Sequence, residues 1–158
     1  MASYYLDTSA LVKRYAREQG SAWVRMLLDP SARHALYTIR LTGPELVAAL
    51  ARKARTGEMT TANAADAIRA FRADWDGLGR THYRVLAAGY VATGRAMDLV
   101  ERHGLRGYDA THLAAALVVA DVRRRRGLLA LTFVSADNGQ RQAAAAEGLP
   151  VDDPNAQP

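Results

Sequence analysis

The chain has 158 residues, of which 49% are apolar and 23% charged, and it contains no cysteine. This composition excludes a globally disordered chain, a disulfide framework and a thiolate metal site, and the length predicts one domain over residues 1–151 followed by a flexible tail at 152–158. Twenty-one basic against sixteen acidic residues give a formal net charge of +5, which favours a polyanionic partner such as a nucleic acid.

The predicted elements alternate between strand and helix. Short apolar runs bounded by turn residues predict strands at 4–6, 34–39, 83–86 and 128–134, with a short edge strand at 149–151. Amphipathic spacing and N-cap residues predict helices at 8–19, 21–28, 42–57, 60–75, 89–103, 107–126 and 135–146. This alternation predicts an α/β fold with three layers around a central, mostly parallel sheet of four to five strands.

The sequence shows no membrane segment. The apolar runs at 113–120 and 128–134 are separated by Asp121 and the basic run 123–126, and both runs are too short to span a bilayer. A signal peptide has a basic region followed by an apolar core, and the first residues of this chain do not show that pattern. We therefore expect a cytoplasmic protein without a membrane partner.

Four carboxylates, Asp7, Glu45, Asp109 and Asp137, lie where a predicted strand-like run passes into a helix. In a parallel α/β sheet such junctions lie on the edge formed by the carboxyl ends of the strands, where ligands collect. Four acids in one pocket repel one another unless a cation neutralises them, and hard divalent cations favour oxygen ligands. The pattern therefore predicts a site for Mg²⁺ or Mn²⁺.

Helix capping is the structural alternative for these acids, because carboxylates are favoured at helix N-termini. The segment from Thr42 to Glu45 has the spacing of a capping box, with a hydroxyl residue followed three positions later by an acid. Neighbouring hydroxyl residues such as Ser9 would cap equally well. Acids at all four junctions therefore favour the metal pocket.

Four segments in chain order resemble a PIN-domain nuclease, and within that family a VapC-type ribonuclease toxin. The resemblance is carried by Leu6–Lys13 (LDTSALVK), Thr42–Leu46, Tyr108–Ala116 (YDATHLAAA) and Ser135–Asp137. It implies a parallel-sheet fold, RNA cleavage that depends on Mg²⁺ or Mn²⁺, a homodimer, and a cognate VapB-type antitoxin that occupies the active site.

The chemistry of phosphodiester cleavage suggests a role for each of the four acids and for two neighbouring hydroxyl residues. A divalent ion neutralises charge on the scissile phosphate and activates a water molecule. We assign the three aspartates as metal ligands, directly or through water, and Glu45 as a further ligand or as the residue that orients the attacking water. The hydroxyl groups of Thr8 and Ser135 are assigned supporting hydrogen bonds to the carboxylates or to the phosphate.

Two further features have structural interpretations. His112 lies one helical turn after Asp109, but its apolar neighbours favour a packed helix residue over a metal ligand. The run Arg123–Arg126 occupies the last turn of a helix, where cations stabilise the negative helix end, and RNA contact is the alternative.

Other functions remain open from the sequence. A non-toxin PIN nuclease acting in RNA processing or on DNA has the same acids. A non-catalytic signalling module with an acidic, magnesium-binding pocket is disfavoured, because such a pocket needs a lysine after a late strand and neither Lys13 nor Lys53 lies there.

Overall fold

The computed structural model describes residues 1–77, 79 and 83–157, so Pro158 of the predicted tail lies outside the described residues. Within them the chain alternates strands and helices, as predicted. The strands are β1 Ser3–Leu6, β2 Ala35–Ile39, β3 Arg84–Leu86, β4 Thr132–Val134 and β5 Val151–Asp152. The helices are α1 Thr8–Tyr15, α2 Ser21–Leu27, α3 Thr42–Arg55, α4 Thr61–Trp75, α5 Tyr90–His103, α6 Gly107–Arg125 and α7 Asn138–Ala146.

The five strands form one parallel sheet in the order β3-β2-β1-β4-β5, which confirms the predicted fold class. Side chains alternate between the two faces of a strand, so Tyr5 and Leu6 of the central strand β1 enter different cores. Tyr5 packs in the core formed with α5, α6 and α7, whereas Leu6 packs in the core formed with α1 to α4. Helices therefore cover both faces of the sheet.

The middle of helix α6 is buried, with every residue from His112 to Leu117 in the interior, as its apolar sequence predicted. Leu113 is fully buried, and burying a leucine side chain stabilises the fold by roughly 2 kcal/mol. No helix in the described part of the chain combines the length and apolar character needed to cross a bilayer.

The predicted strand-to-helix junction at Asp109 is wrong. Asp109 lies in the first turn of α6, which follows helix α5 after a short link rather than following a strand. Asp109 still reaches the same edge, because α6 leads into the parallel strand β4. A helix that precedes such a strand runs antiparallel to it and starts at the carboxyl edge of the sheet.

The predicted fourth strand is too long at its start. Strand β4 begins at Thr132, and Leu128 and Leu129 are exposed. Gly127 adopts a positive φ of 64° after α6, and the carbonyl of Leu129 accepts a hydrogen bond from Arg123. These residues form the turn that leads from α6 to the sheet, so their apolar side chains do not indicate a strand.

Residues 152–157, predicted as a flexible tail, pack against the rest of the chain. Strand β5 pairs with β4, Pro154 is buried, and Asp153 forms an ion pair with Arg141 at 2.8 Å. Gly20 lies so close that a Cβ atom there would be 2.0 Å from the carbonyl oxygen of Pro154. The sequence of this segment does not reveal these contacts, because all of them are made with residues that lie far away along the chain.

Candidate active site

The four predicted acids line one cavity of about 770 Å³. Asp7 follows β1, Glu45 lies in the first turn of α3 after β2, Asp109 lies in the first turn of α6, and Asp137 is the N-cap of α7 after β4. Four distant parts of the chain thus bring their carboxylates to the carboxyl edge of the sheet.

Asp7 caps helix α1 and also lines the cavity. Its Oδ1 accepts hydrogen bonds from the backbone N–H of Ala10 at 2.9 Å and from the Ser9 hydroxyl at 2.8 Å, while Oδ2 accepts from the Ser135 hydroxyl at 2.7 Å. Burial raises the pKa of Asp7, and the charge of His112 and these hydrogen bonds offset that increase only in part. The capping interpretation is therefore correct for Asp7 but incomplete.

Glu45 does not take part in a capping box. Helix α3 starts without a side-chain cap, and the Thr42 hydroxyl instead contacts the Thr38 hydroxyl at 2.7 Å. The Glu45 carboxylate accepts hydrogen bonds from the Thr8 hydroxyl and from Nε2 of His112, the latter at 2.9 Å. Burial opposes ionisation of Glu45, but these hydrogen bonds outweigh it and hold its pKa below the ordinary value.

His112 contributes to the site beyond packing in α6. Its Nε2 contacts Glu45, and its Nδ1 lies 3.1 Å from the Tyr5 hydroxyl. Burial and the nearby charges of Asp7 and Glu45 raise the pKa of Tyr5 well above its ordinary value, so its hydroxyl keeps its proton where it contacts Nδ1. The ionised carboxylate of Glu45 can only accept hydrogen bonds, so Nε2 of His112 carries the proton that it donates to Glu45. The one sequence signal for this role was the helical spacing from Asp109.

Asp109 and Asp137 are tied together by Gln140. The side-chain Nε2 of Gln140 donates to Asp109 Oδ1 at 2.9 Å, and its backbone N–H donates to Asp137 Oδ1 at 2.8 Å. Burial and the charge of Asp137 raise the pKa of Asp109, although Gln140 and Arg106 act in the opposite direction. Ser135 accepts a hydrogen bond from the backbone N–H of Asp137, so it links this pair to Asp7.

The donor set suits a divalent cation, although its oxygens are held by protein donors. Among the residues that the structure describes, no group of three or more His, Asp or Glu side chains is arranged to hold a metal ion. Burial and the charge of Asp137 nevertheless raise the pKa of Asp109, so a cation bound beside it would favour its ionised form. Carboxylate oxygens are the ligands that Mg²⁺ and Mn²⁺ favour.

Sequence reasoning missed a set of basic residues in the cavity wall, namely Lys13, Arg52, Lys53 and Arg106. Lys13 is buried and donates to Glu18 at 3.1 Å, and Lys53 lies 3.3 Å from the other oxygen of Glu18. Lys13 and Lys53 lie on helices α1 and α3, which begin near Asp7 and Glu45. The sequence signal for placing these lysines near the acids was that each lies on a predicted helix that starts near one of them.

The run Arg123–Arg126 lies at the other end of α6. Asp109 and Arg123 are separated along the helix by about 21 Å, from a rise of about 1.5 Å per residue. Arg123 donates to the Leu129 carbonyl, and Arg124 pairs with Asp121 at 2.7 Å. These contacts agree with the helix-end interpretation and place the run away from the acids.

Comparison with known proteins places the chain in a family. No family profile matches the chain. The ribonucleases VapC45 and VapC49 from two strains of Mycobacterium tuberculosis are each 39% identical to it over 121 residues, which are 77% of this chain and 79% of each relative.

Solved structures share the fold. VapC20 of Mycobacterium tuberculosis, a sarcin–ricin loop cleaving toxin, superposes with a TM-score of 0.59 at 19% identity, covering 98% of this chain and 99% of its own. VapBC2 from Rickettsia felis, solved with a DNA fragment from its promoter, gives a TM-score of 0.59 at 13% identity, covering 96% and 98%. The chain belongs to the VapC family of PIN-domain ribonucleases, the toxins of toxin–antitoxin systems.

Proposed function

We propose that this VapC-family toxin is an endoribonuclease whose cleavage of RNA depends on Mg²⁺ or Mn²⁺ held by its four carboxylates. The observation that carries the proposal is the convergence of Asp7, Glu45, Asp109 and Asp137 on one cavity. The chain is basic overall although these acids are gathered in one place, which suits a polyanion that is held by its phosphates. Family membership leaves no support for the signalling alternative.

A bound divalent cation would neutralise charge on the scissile phosphate and lower the pKa of a water molecule. The residues of the chain prepare the site for that chemistry. Asp7 is fixed by Ser9 and Ser135, and Asp109 and Asp137 are fixed by Gln140. These three aspartates are the proposed ligands, directly or through water.

Glu45 is proposed as a further ligand or as the residue that orients the attacking water. Its pKa is held below the ordinary value, so the carboxylate is ionised at neutral pH. His112 and Thr8 hold it in one orientation, which favours a fixed direction for an attacking water molecule. Arg106 lies in the same wall as Asp109, where a guanidinium suits the phosphate of the substrate.

The proposed partners are RNA, a VapB-type antitoxin and a second copy of this chain, all in the cytoplasm. The homodimer proposal is supported by an apolar stripe on the outer face of α5. Tyr90, Met97 and Val100 are spaced at helical intervals and are exposed by 95%, 63% and 37%. Large apolar side chains exposed in one stripe are typical of an interface.

RNA cleavage by the purified protein tests the metal proposal. Labelled RNA should be cut with Mg²⁺ or Mn²⁺ and remain intact with excess EDTA. Asp109→Asn and Asp137→Asn should lower the rate by about 100-fold or more, because each removes a proposed ligand. Asp66→Asn is the matched control, since Asp66 is exposed on α4 and does not line the cavity. Undiminished cleavage in EDTA would reject the metal-dependent mechanism.

A further inference from the structure

Gln140 is almost fully buried and yet lines the active-site cavity. Its exposed fraction is 3%, and it lies on α7 one turn after the N-cap residue Asp137. Its backbone and its side chain contact different acids, Asp137 and Asp109. The two carboxylates come from different helices, so one residue sets their relative position.

The amide of Gln140 has only one chemically sensible orientation. The carboxylate of Asp109 accepts hydrogen bonds, so the atom that faces it must be the donor Nε2 rather than the acceptor Oε1. Oε1 is then buried, and no donor in the described part of the chain bonds to it. Leaving a buried acceptor unpaired costs about 1–3 kcal/mol, and folded proteins leave few such atoms.

We propose that Gln140 is a positioning residue of the ribonuclease site, which holds Asp109 through Nε2 and offers Oε1 to an O–H donor in the cavity. The inference rests on the proposed function. Two sources supply such a donor, the ribose 2′-hydroxyl of the RNA and a water molecule held by the cation. A glutamate at this position would repel Asp109, and a leucine would provide neither contact. Glutamine provides one donor and one acceptor together.

Kinetic analysis of Gln140→Leu tests the inference. Loss of a hydrogen bond to a charged group predicts a fall in kcat of about 10-fold to 100-fold. Gln142→Leu is the matched control, because Gln142 is an exposed residue of the same helix and should keep wild-type rates. Gln140→Met, with an unbranched side chain of similar length, replaces the leucine variant if that variant does not fold.

Two measurements distinguish the sources of the O–H donor. In the first, single 2′-deoxy nucleotides are placed in turn around the cleaved bond. A deoxy position that slows the wild type but not Gln140→Leu assigns the donor to the ribose. In the second, the Mn²⁺-induced rise in melting temperature is measured without RNA. A smaller rise in Gln140→Leu, with unchanged sensitivity to 2′-deoxy positions, assigns the donor to cation-held water.

The wild type separates failure of the inference from failure of the proposed function. A wild type that does not cleave RNA with Mg²⁺ or Mn²⁺ rejects the proposed function itself. The role of Gln140 is overturned by a different result. In that result the wild type cleaves RNA, and a folded Gln140→Leu variant has the same kcat, the same 2′-deoxy sensitivity and the same Mn²⁺ response.

Discussion

Nε2 of His112 lies 2.9 Å from Oε2 of Glu45, and this contact joins helix α6 to helix α3 across the cavity. The other ring nitrogen lies 3.1 Å from the hydroxyl of Tyr5, which is fully buried in the central strand. The orientation of Glu45 is therefore set from the core of the protein. A residue that acts through another in this way is expected to affect turnover more than substrate binding.

Replacing His112 tests this positioning role. His112→Leu removes the donor to Glu45 and should lower kcat by about 10-fold to 100-fold with little change in KM. His112→Gln keeps an N–H donor on the side chain and should recover part of the loss. Steady-state kinetics on both variants, with melting temperatures as the check of folding, measure the effect. A folded leucine variant with wild-type kcat would show that His112 only packs in the core and does not position Glu45 for turnover.

Tyr5→Phe removes the hydroxyl group that fixes the imidazole. The variant should lose about 1 kcal/mol of stability and several-fold in kcat, because Nδ1 of His112 loses its hydrogen-bond partner. Tyr37→Phe is the matched control: Tyr37 packs in the same core, and its hydroxyl accepts from Arg84 at 3.1 Å, away from the acids. We expect Tyr37→Phe to change stability without changing kcat. Equal kinetics in the two variants would contradict the prediction.

The raised pKa of Asp7 predicts a pH-dependent stability without metal. The folded state binds the proton of Asp7 more tightly than the unfolded state, in which the pKa is about 3.9. This stabilising contribution is complete below that value and is lost as the pH rises through the folded-state pKa. Asp7→Asn should therefore exceed the wild type in free energy of unfolding at pH 7 in EDTA.

Urea unfolding of the wild type and of Asp7→Asn between pH 4 and pH 8 measures this difference. Asparagine keeps an oxygen for the N–H of Ala10, so the helix cap is preserved. The advantage of the variant should fade as the pH falls towards 4. An advantage that grows on acidification would show that burial of the charge is not the cause.

Glu45→Gln should have the opposite effect. The folded-state pKa of Glu45 is lowered, so its contribution to stability is present above the unfolded value of about 4.3 and is lost as the pH falls through the folded-state pKa. The glutamine variant should therefore be less stable than the wild type at pH 7 and approach it in acid. If both variants changed in stability relative to the wild type in the same direction with pH, the opposite pKa shifts assigned to Asp7 and Glu45 would be wrong.

The sequence could locate the acids but not their partners. Asp7 and Asp137 follow apolar runs, and the carboxyl edge of a parallel sheet gathers such residues whatever the details of packing. The contacts of His112 with Glu45 and of Gln140 with Asp109 span 67 and 31 residues. Helical spacing identifies the face of a helix, but the residue opposite that face depends on how the helices pack. The packing of residues 152–157 was hidden for the same reason.

Gly20→Ala tests that packing. Gly20 and Gly57 have nearly the same backbone φ, +78° and +77°, so alanine should cost about 1–2 kcal/mol at either position. A Cβ at Gly20 would also overlap the carbonyl of Pro154, whereas a Cβ at Gly57 meets no atom of the described residues within 4 Å. Gly20→Ala should therefore melt at a lower temperature than Gly57→Ala.

Limited proteolysis of the same two variants identifies the source of the difference. The overlap at Gly20 displaces the segment around Pro154, because the clashing atom is backbone and cannot rotate away. Gly20→Ala should therefore lose its C-terminal residues to carboxypeptidase faster than Gly57→Ala, which leaves that segment in place. Equal melting temperatures and equal rates of digestion would support the predicted flexible tail, because only a segment that is not packed against Gly20 tolerates the added methyl group.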